Sequence, residues 1–406
     1  MKNQDKGIVQ ELAKKYMALV CTEKYEKMIA RFRDTNDLKP VRPPVILDEI
    51  PWYQMNMNNE LTCICEDARV REVELYFRKA IFYMTHFKAD HLYEPYFDVK
   101  CAVESTGIGI EPVTADMKRT DATNKIVSRE FEDVFEDESA LEQLHDPVFT
   151  HHPDKDAENM EFYIELLGDT IPVRLSGFNF LYFAPWDKIT RFRGVEPILM
   201  DMYDRPEYLH EIIKRFVSAA HAELDFVEKN LSVVLKHSLH CTPSTVSGLA
   251  KEGLKSTWCR SMAQTFGVIS PAMFEEFEVD YLLSVAERFA YTYYGCCEPL
   301  DDKISVLKKI PNLRKIGCSP WANVEKCAEQ IRGDYVLARK PNPAHVAIET
   351  DPDVIRREIE DTVKACIKHG CSYDYVLKDI STVSNRPQNL IVWAQTVSDV
   401  LDSYYE

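Results

Sequence analysis

No uninterrupted apolar run in these 406 residues reaches the length of a membrane span, and the start Met-Lys-Asn-Gln-Asp-Lys-Gly has no apolar core of the kind a secretory signal needs. The expectation is a cytoplasmic protein without a membrane partner. A basic surplus is lacking too: 66 acidic against 49 basic residues leave a net charge of -17. That balance argues against nucleic acid as a partner and against docking on anionic lipid. Internal repeats and low-complexity linkers are absent. So is a dinucleotide fingerprint, because Gly107-Ile-Gly-Ile lacks the third glycine and opens no helix. What is present suffices for a large core: the chain is 45% hydrophobic, and its length fits one big α/β barrel or two smaller domains.

Twelve cysteines in a chain without a secretory signal read as reduced thiols. Cys21, Cys63, Cys65, Cys101, Cys327 and Cys366 stand among apolar neighbours and read as small buried hydrophobes. Cys63-Ile64-Cys65 has no second pair at zinc-ribbon distance. Cys296-Cys297-Glu298 differs: in Tyr-Tyr-Gly-Cys-Cys-Glu-Pro-Leu, three soft or acidic ligand types directly follow a short aromatic strand-like segment. Cys318 follows one strand–helix unit later, in Lys-Ile-Gly-Cys-Ser-Pro-Trp.

Apolar positions at helical spacing predict a helix over 8–33, ending before the breaker-rich Leu38-Lys-Pro-Val-Arg-Pro-Pro-Val, and another over 66–89. Tyr96 to Ser105 reads as a strand ending at Glu104 before a Gly-Ile-Gly turn, and the acidic stretch 114–146 as a solvated surface excursion. From about residue 195, strand and helix alternate. A helix from Pro206 to about Asn230 precedes a strand-like Ser232–His237, and Ser270 and Pro271 suit the N-cap and first position of the next helix. Strands follow at Tyr291–Gly295, Leu313–Gly317, Tyr335–Ala338 and Tyr375–Lys378, separated by helices at 323–332 and 351–369 and closed by one from Pro387 to about Asp402. This spacing predicts parallel βαβ units and favours a (β/α)8 barrel over residues 91–406, with an N-terminal helical extension over 1–90.

In such a barrel, chemistry lies at the C-terminal ends of the strands. Those ends carry Glu104, His237 to Cys241, Cys296-Cys297-Glu298, Cys318-Ser319, Lys340-Pro-Asn342 and Asp379. Thiolates and carboxylates at successive ends suit zinc, whose catalytic sites keep one ligand position open; the competing reading makes the paired cysteines turn or core residues. Glu104 is either a proton donor and substrate-orienting carboxylate or a loop cap. Lys340 and Asn342 either hold a substrate carboxylate or belong to a polar turn pinned by two prolines. Tyr293 and Tyr294 read as packing, and His151-His152 as a surface-loop pair.

Pro185-Trp, Glu196-Pro-Ile-Leu-Met-Asp-Met-Tyr-Asp-Arg-Pro-Glu-Tyr-Leu, Phe266-Gly-Val-Ile-Ser-Pro-Ala-Met-Phe-Glu-Glu-Phe and Asn385-Arg-Pro-Gln-Asn-Leu, in that order, resemble motifs of the uroporphyrinogen decarboxylase superfamily. The likeness runs over most of residues 90–405 and implies a (β/α)8 barrel with a deep C-terminal mouth. True decarboxylases of the family carry an arginine motif that grips substrate carboxylates; here Val41-Arg-Pro-Pro-Val stands in its place, and Glu104 stands near the family's aspartate. The chain is more similar to the branch of zinc methyltransferases that exchange methyl groups with a corrinoid protein. In that pattern Cys297 matches the cysteine of a His-x-Cys pair, Gly295 replaces its histidine, Cys318 falls where related methionine synthases place a glutamate, and Asp379 lies near a final cysteine. The resemblance implies a zinc site using Cys297 and Cys318, completed from Glu298, Cys296, Asp379 or His240. It also implies a small methylated substrate and a corrinoid-carrying protein partner, with zinc as Lewis acid on a substrate sulfur or ether oxygen. The rival readings are a metal-free decarboxylase acting on a smaller substrate and a non-catalytic binding barrel.

Overall fold

Short runs rich in tyrosine, valine, leucine and isoleucine, each ending at a turn, form seven parallel strands in the computed structural model, which describes residues 2–116, 129–231, 246–249 and 253–405. They are β1 (Val45–Leu47), β2 (Leu181–Phe183), β3 (Trp258–Ser261), β4 (Tyr291–Tyr294), β5 (Leu313–Cys318), β6 (Val336–Arg339) and β7 (Ser372–Leu377). The spatial order is β1-β7-β6-β5-β4-β3-β2, and every neighbouring pair is parallel. Sequence order is thus kept around a curled sheet, as in a (β/α)8 barrel, but among the described residues the ladder does not close and β1 and β2 are its edges. The expected closed eight-stranded barrel is corrected to this seven-stranded half-barrel. Phe97–Lys100 pairs with Val173–Ser176 in a separate parallel ladder, and Val103–Ser105 pairs antiparallel with Phe149–His151. The strand expected at Ser232–His237 lies outside the described residues.

The covering helices begin and end where local chemistry dictates. Ser270 Oγ accepts from Met273 N–H with Pro271 in the first turn, Asn323 caps Lys326 N–H, and Asp351 caps Asp353 N–H ahead of Pro352. The helix Pro352–His369 ends on Gly370 in the left-handed conformation, with Lys368 and His369 in its last turn. The helix opened by Ser270 passes through one π turn at Glu275–Val279, which carries the buried Glu278 towards the sheet.

Period two sorts the strand residues onto two faces. Cys259, Ile316, Cys318, Leu337, Tyr373, Tyr375 and Leu377 join the main core under the helices. Trp258, Arg260, Tyr293, Lys315, Ala338 and Asp374 share the opposite, inner face through their register. That face is polar at its centre: Lys315 and Asp374 form a fully buried ion pair at 2.7 Å.

The residues expected as an N-terminal extension fold as two helices, Asn3–Val20 and Glu23–Asn36, with a third at Ala68–His86. Met28 and Phe32 of the second helix cover Ile46 of β1 and Val376 of β7. The first and third helices share a satellite core with Leu166, Leu167 and Ile171. Within 1–90 the chain also supplies β1 itself, an edge of the main sheet. The acidic stretch from 114 is only partly a surface excursion. Phe135, Ala140 and Leu144 are buried, and Phe135 stacks on Phe192 at 5.2 Å.

Candidate active site at the C-terminal ends of the strands

Beyond β4 the chain turns through Gly295, whose φ of +105° lies in the region other residues avoid. A Cβ there would stand 2.5 Å from Leu300 Cδ1 and 3.1 Å from Gly317 Cα. The strand end can approach β5 this closely only because both residues are glycine. A histidine at position 295 would therefore have no room.

The turn presents Cys296 and Cys297 with their sulfurs 3.5 Å apart. Lys378, just past β7, donates to Cys296 Sγ at 2.9 Å and lies 3.7 Å from Cys297 Sγ. Cys297 donates to Asp379 Oδ2 at 2.6 Å. Asp379 N–H in turn donates to Glu49 Oε2 at 2.8 Å, and Glu49 Oε1 is 3.7 Å from Lys378 Nζ. Glu49 follows β1, so strand ends β1, β4 and β7 meet at one cluster. Both of its carboxylate positions are in left-handed backbone conformation, Glu49 at φ 52° and Asp379 at φ 57°. Non-glycine residues held there store strain that surrounding structure must enforce, and such residues gather at functional sites.

The charges are distributed unevenly. The hydrogen bond from Cys297 lowers the Cys296 thiol to about 4, and Arg260, Lys378 and Lys340 add to this against burial. Cys297 shifts the other way, raised by its bond to Cys296 and by burial. Its single proton has two acceptors, and the carboxylate at 2.6 Å is the closer; with either acceptor Cys297 stays a thiol and Cys296 is the thiolate facing Lys378. Burial works against charge on Asp379, yet the Cys297 bond and the Lys378 ammonium hold its pKa below the usual value. Burial pushes Glu49 up to about 7. Glu298 is also pushed to about 7, by burial and by the charge on Cys296.

Below the cluster the inner face is cationic. Lys340, past β6, is buried against the Tyr293 hydroxyl, and the Arg260 guanidinium lies 4.3 Å from the Tyr293 ring centroid. Burial and the Arg260 charge lower the Lys340 pKa. Arg260, Lys340 and Lys378 thus converge around one thiolate.

The other expected site residues are placed as follows. Glu298 turns back to accept from Cys296 N–H at 2.9 Å and shapes the turn from beneath. Cys318 sits on the outer face of β5 beside Arg339, whose Nη1 is 3.7 Å from its sulfur; a hydrogen bond with Cys327 lowers its pKa to about 7, so it faces the helices and not Cys297. Asn342 Oδ1 accepts from Ala344 N–H and caps a short turn. Glu104 is exposed, paired with Lys155 at 2.7 Å and His152 at 3.1 Å, on an antiparallel ladder separate from the main sheet. His240 lies outside the described residues. Sequence reasoning missed Glu49, Lys378 and Arg260, although the first two stand within two residues of strand ends. It also missed a group that could hold a metal ion: donor atoms of Cys101, His151 and Asp156 all lie within 4.8 Å of one another.

No protein-family model and no curated protein matches the chain. Among solved structures, a methyltransferase from Methanosarcina mazei is 11% identical over 93% of this chain and 99% of its own, with a TM-score of 0.49. No helix among the described residues is long and apolar enough to cross a membrane.

Proposed function

We propose that the strand-end cluster is the active centre of a methyltransferase that moves a methyl group between a small methylated carboxylate and a corrinoid carried by a partner protein. The observation that carries this reading is the meeting of Cys296, Cys297, Lys378, Asp379 and Glu49 at three strand ends, above buried Arg260 and Lys340. The order of sequence motifs supports the same reading.

Cys296, Cys297 and Asp379 are donors of a kind zinc takes, but in the metal-free arrangement the Lys378 ammonium fills the place beside the sulfurs, 2.9 Å from Cys296 Sγ and 3.7 Å from Cys297 Sγ, and has to move aside for an ion. Two sulfurs 3.5 Å apart match the edge of a zinc tetrahedron, about 3.7 Å for Zn–S bonds of about 2.3 Å, and Asp379 supplies an adjoining oxygen. Zinc held by Cys296, Cys297 and Asp379 would act as a Lewis acid on the substrate's sulfur or oxygen. The remaining roles belong to this chain's own groups. Arg260 and Lys340 bind the substrate carboxylate from below, which fixes the methyl-bearing end at the mouth. Lys378 balances the sulfur charge. In the demethylating direction the bond from heteroatom to methyl carbon would break with its electron pair left on the heteroatom, which takes a proton from Glu49, and the partner's corrinoid would supply the Co(I) nucleophile that accepts the methyl cation. With a pKa of about 7, Glu49 is partly protonated at neutral pH, as a general acid requires.

Metal analysis of protein purified without chelator tests the zinc assignment. The wild type should hold one equivalent more zinc than the Cys296→Ser/Cys297→Ser double variant, and X-ray absorption should count two sulfur neighbours on that ion. Equal zinc content in the two proteins would remove zinc from the mouth.

A further inference from the structure

A second convergence of donors lies outside the strand-end cluster. Cys101 directly follows Phe97–Lys100, His151 ends the strand Phe149–His151, and Asp156 stands in the first turn of the helix Pro153–Leu167. Asp156 is buried and uses both oxygens: Oδ1 accepts from Ala102 N–H at 2.6 Å, and Oδ2 lies 2.6 Å from His151 Nε2. Backbone bonds hold the three donors in place. Cys101 N–H donates to Ser176 O at 3.0 Å, and His152 N–H donates to Ala102 O at 2.9 Å. Cys101 also lines a cavity of about 330 Å³ together with Lys100, Val103, Phe149 and Ser176.

The geometry points to a three-ligand site for a divalent ion of the zinc class, held by Cys101, His151 and Asp156, with its fourth position open to the adjoining cavity for water or a small anionic or thiol ligand. One sulfur, one imidazole nitrogen and one carboxylate oxygen form a donor set that zinc takes, and three protein ligands with one open position mark sites that bind exogenous groups. The thiolate and carboxylate together balance a dication. On binding through Nε2, the ion takes the place of the proton between His151 and Asp156, which the neutral imidazole carries on Nδ1 instead, and the thiol proton of Cys101 is released to solvent. The backbone N–H of Ala102 remains on Asp156 Oδ1 and serves to orient that ligand. Lys100 and Glu223 both line the cavity, so its wall carries one charge of each sign. Without an ion, the same three residues form only a hydrogen-bonded hub centred on Asp156. The two alternatives are separable by spectroscopy.

The experiment is a cobalt(II) titration of the Cys296→Ser/Cys297→Ser protein, which removes both mouth sulfurs and leaves the second cluster intact. The expected result is one equivalent bound in a four-coordinate site, with a thiolate-to-cobalt charge-transfer band. Adding Cys101→Ser should abolish the band, and Asp156→Asn, which keeps an oxygen for Ala102 N–H, should weaken binding at least tenfold. No charge-transfer band in the double variant at tenfold excess cobalt, or a band that survives Cys101→Ser, would overturn the assignment. The first outcome needs no substitution within the cluster, so a folding failure of the Cys101 variant does not leave the question open. The result is independent of whether the strand-end cluster binds zinc.

Discussion

Cys296 owes its charge to neighbours delivered by several strand ends: Cys297 beside it, Lys378 past β7, Lys340 past β6, and Arg260 on β3. In the metal-free protein, a thiolate-absorbance titration should show one thiolate persisting below pH 6 in the wild type, absent in Cys296→Ser and shifted towards higher pH in Lys378→Met. Glu298 carries the opposite signature. Its folded pKa is raised from 4.5 to about 7, so its contribution to stability is present below 4.5 and lost as pH rises through 7. Glu298→Gln, which has no charge to bury, should gain stability relative to wild type between pH 5 and pH 8, by up to about 3 kcal/mol on the conversion of about 1.4 kcal/mol per pKa unit. Thermal unfolding at the two pH values checks this, and equal differences would contradict it. At Gly295 the backbone and the contact with Leu300 leave no room for a side chain. Gly295→Ala should cost about 1–3 kcal/mol in urea unfolding. At this scale the sequence made Cys296, Cys297 and Asp379 legible as strand-end residues. Lys378, Glu49 and Arg260 were not legible, because their roles depend on which strand ends are neighbours, a property of the sheet order. Cys318 illustrates the cost of ignoring parity: with Lys315 and Gly317 on the inner face, its sulfur must point outward.

At the scale of elements, the alternation of strand and helix after residue 195 was readable from turn residues and caps, and the structure places the strands at 291–294, 313–318, 336–339 and 372–377 within a few residues of expectation. The break in the first predicted helix was less readable, since the apolar spacing continues across Cys21 and Thr22 while Thr22 caps a new helix at Tyr25 N–H. The inner face of the sheet depends on Lys315 of β5 and Asp374 of β7, each only 1% exposed. Removing one member leaves a buried charge without its partner. Lys315→Met should therefore cost about 3–5 kcal/mol in denaturant unfolding, and much of that should return when Asp374→Leu is added. A loss below about 1 kcal/mol would mean that water reaches the pair.

For the whole molecule, the curled parallel sheet gathers the ends of β1, β4 and β7 to one place, although they are separated by some 330 residues of sequence between Glu49 and Asp379. The helix Glu23–Asn36 closes the inner face at β1 and β7, so Phe32→Ala should cost about 3–5 kcal/mol and loosen the strand that positions Glu49. The general architecture was legible from periodicity, whereas the openness of the ladder was not, because the strand read at Tyr96 to Ser105 looks in sequence like a barrel strand while its Phe97–Lys100 part pairs with Val173–Ser176 outside the main sheet. The proposed chemistry is tested most directly by methyl transfer itself. Wild-type protein, loaded with zinc, would be mixed with cob(I)alamin and a panel of isotopically methyl-labelled methoxy, methylthio and methylamino carboxylic acids, and label appearing on cobalamin would be measured. Transfer from a carboxylate-bearing donor by the wild type, lost by at least a hundredfold in Cys297→Ser and weakened chiefly in KM by Lys340→Met, is the predicted result. Transfer undiminished in the Cys296→Ser/Cys297→Ser variant, or none from any donor with the wild type, would contradict it.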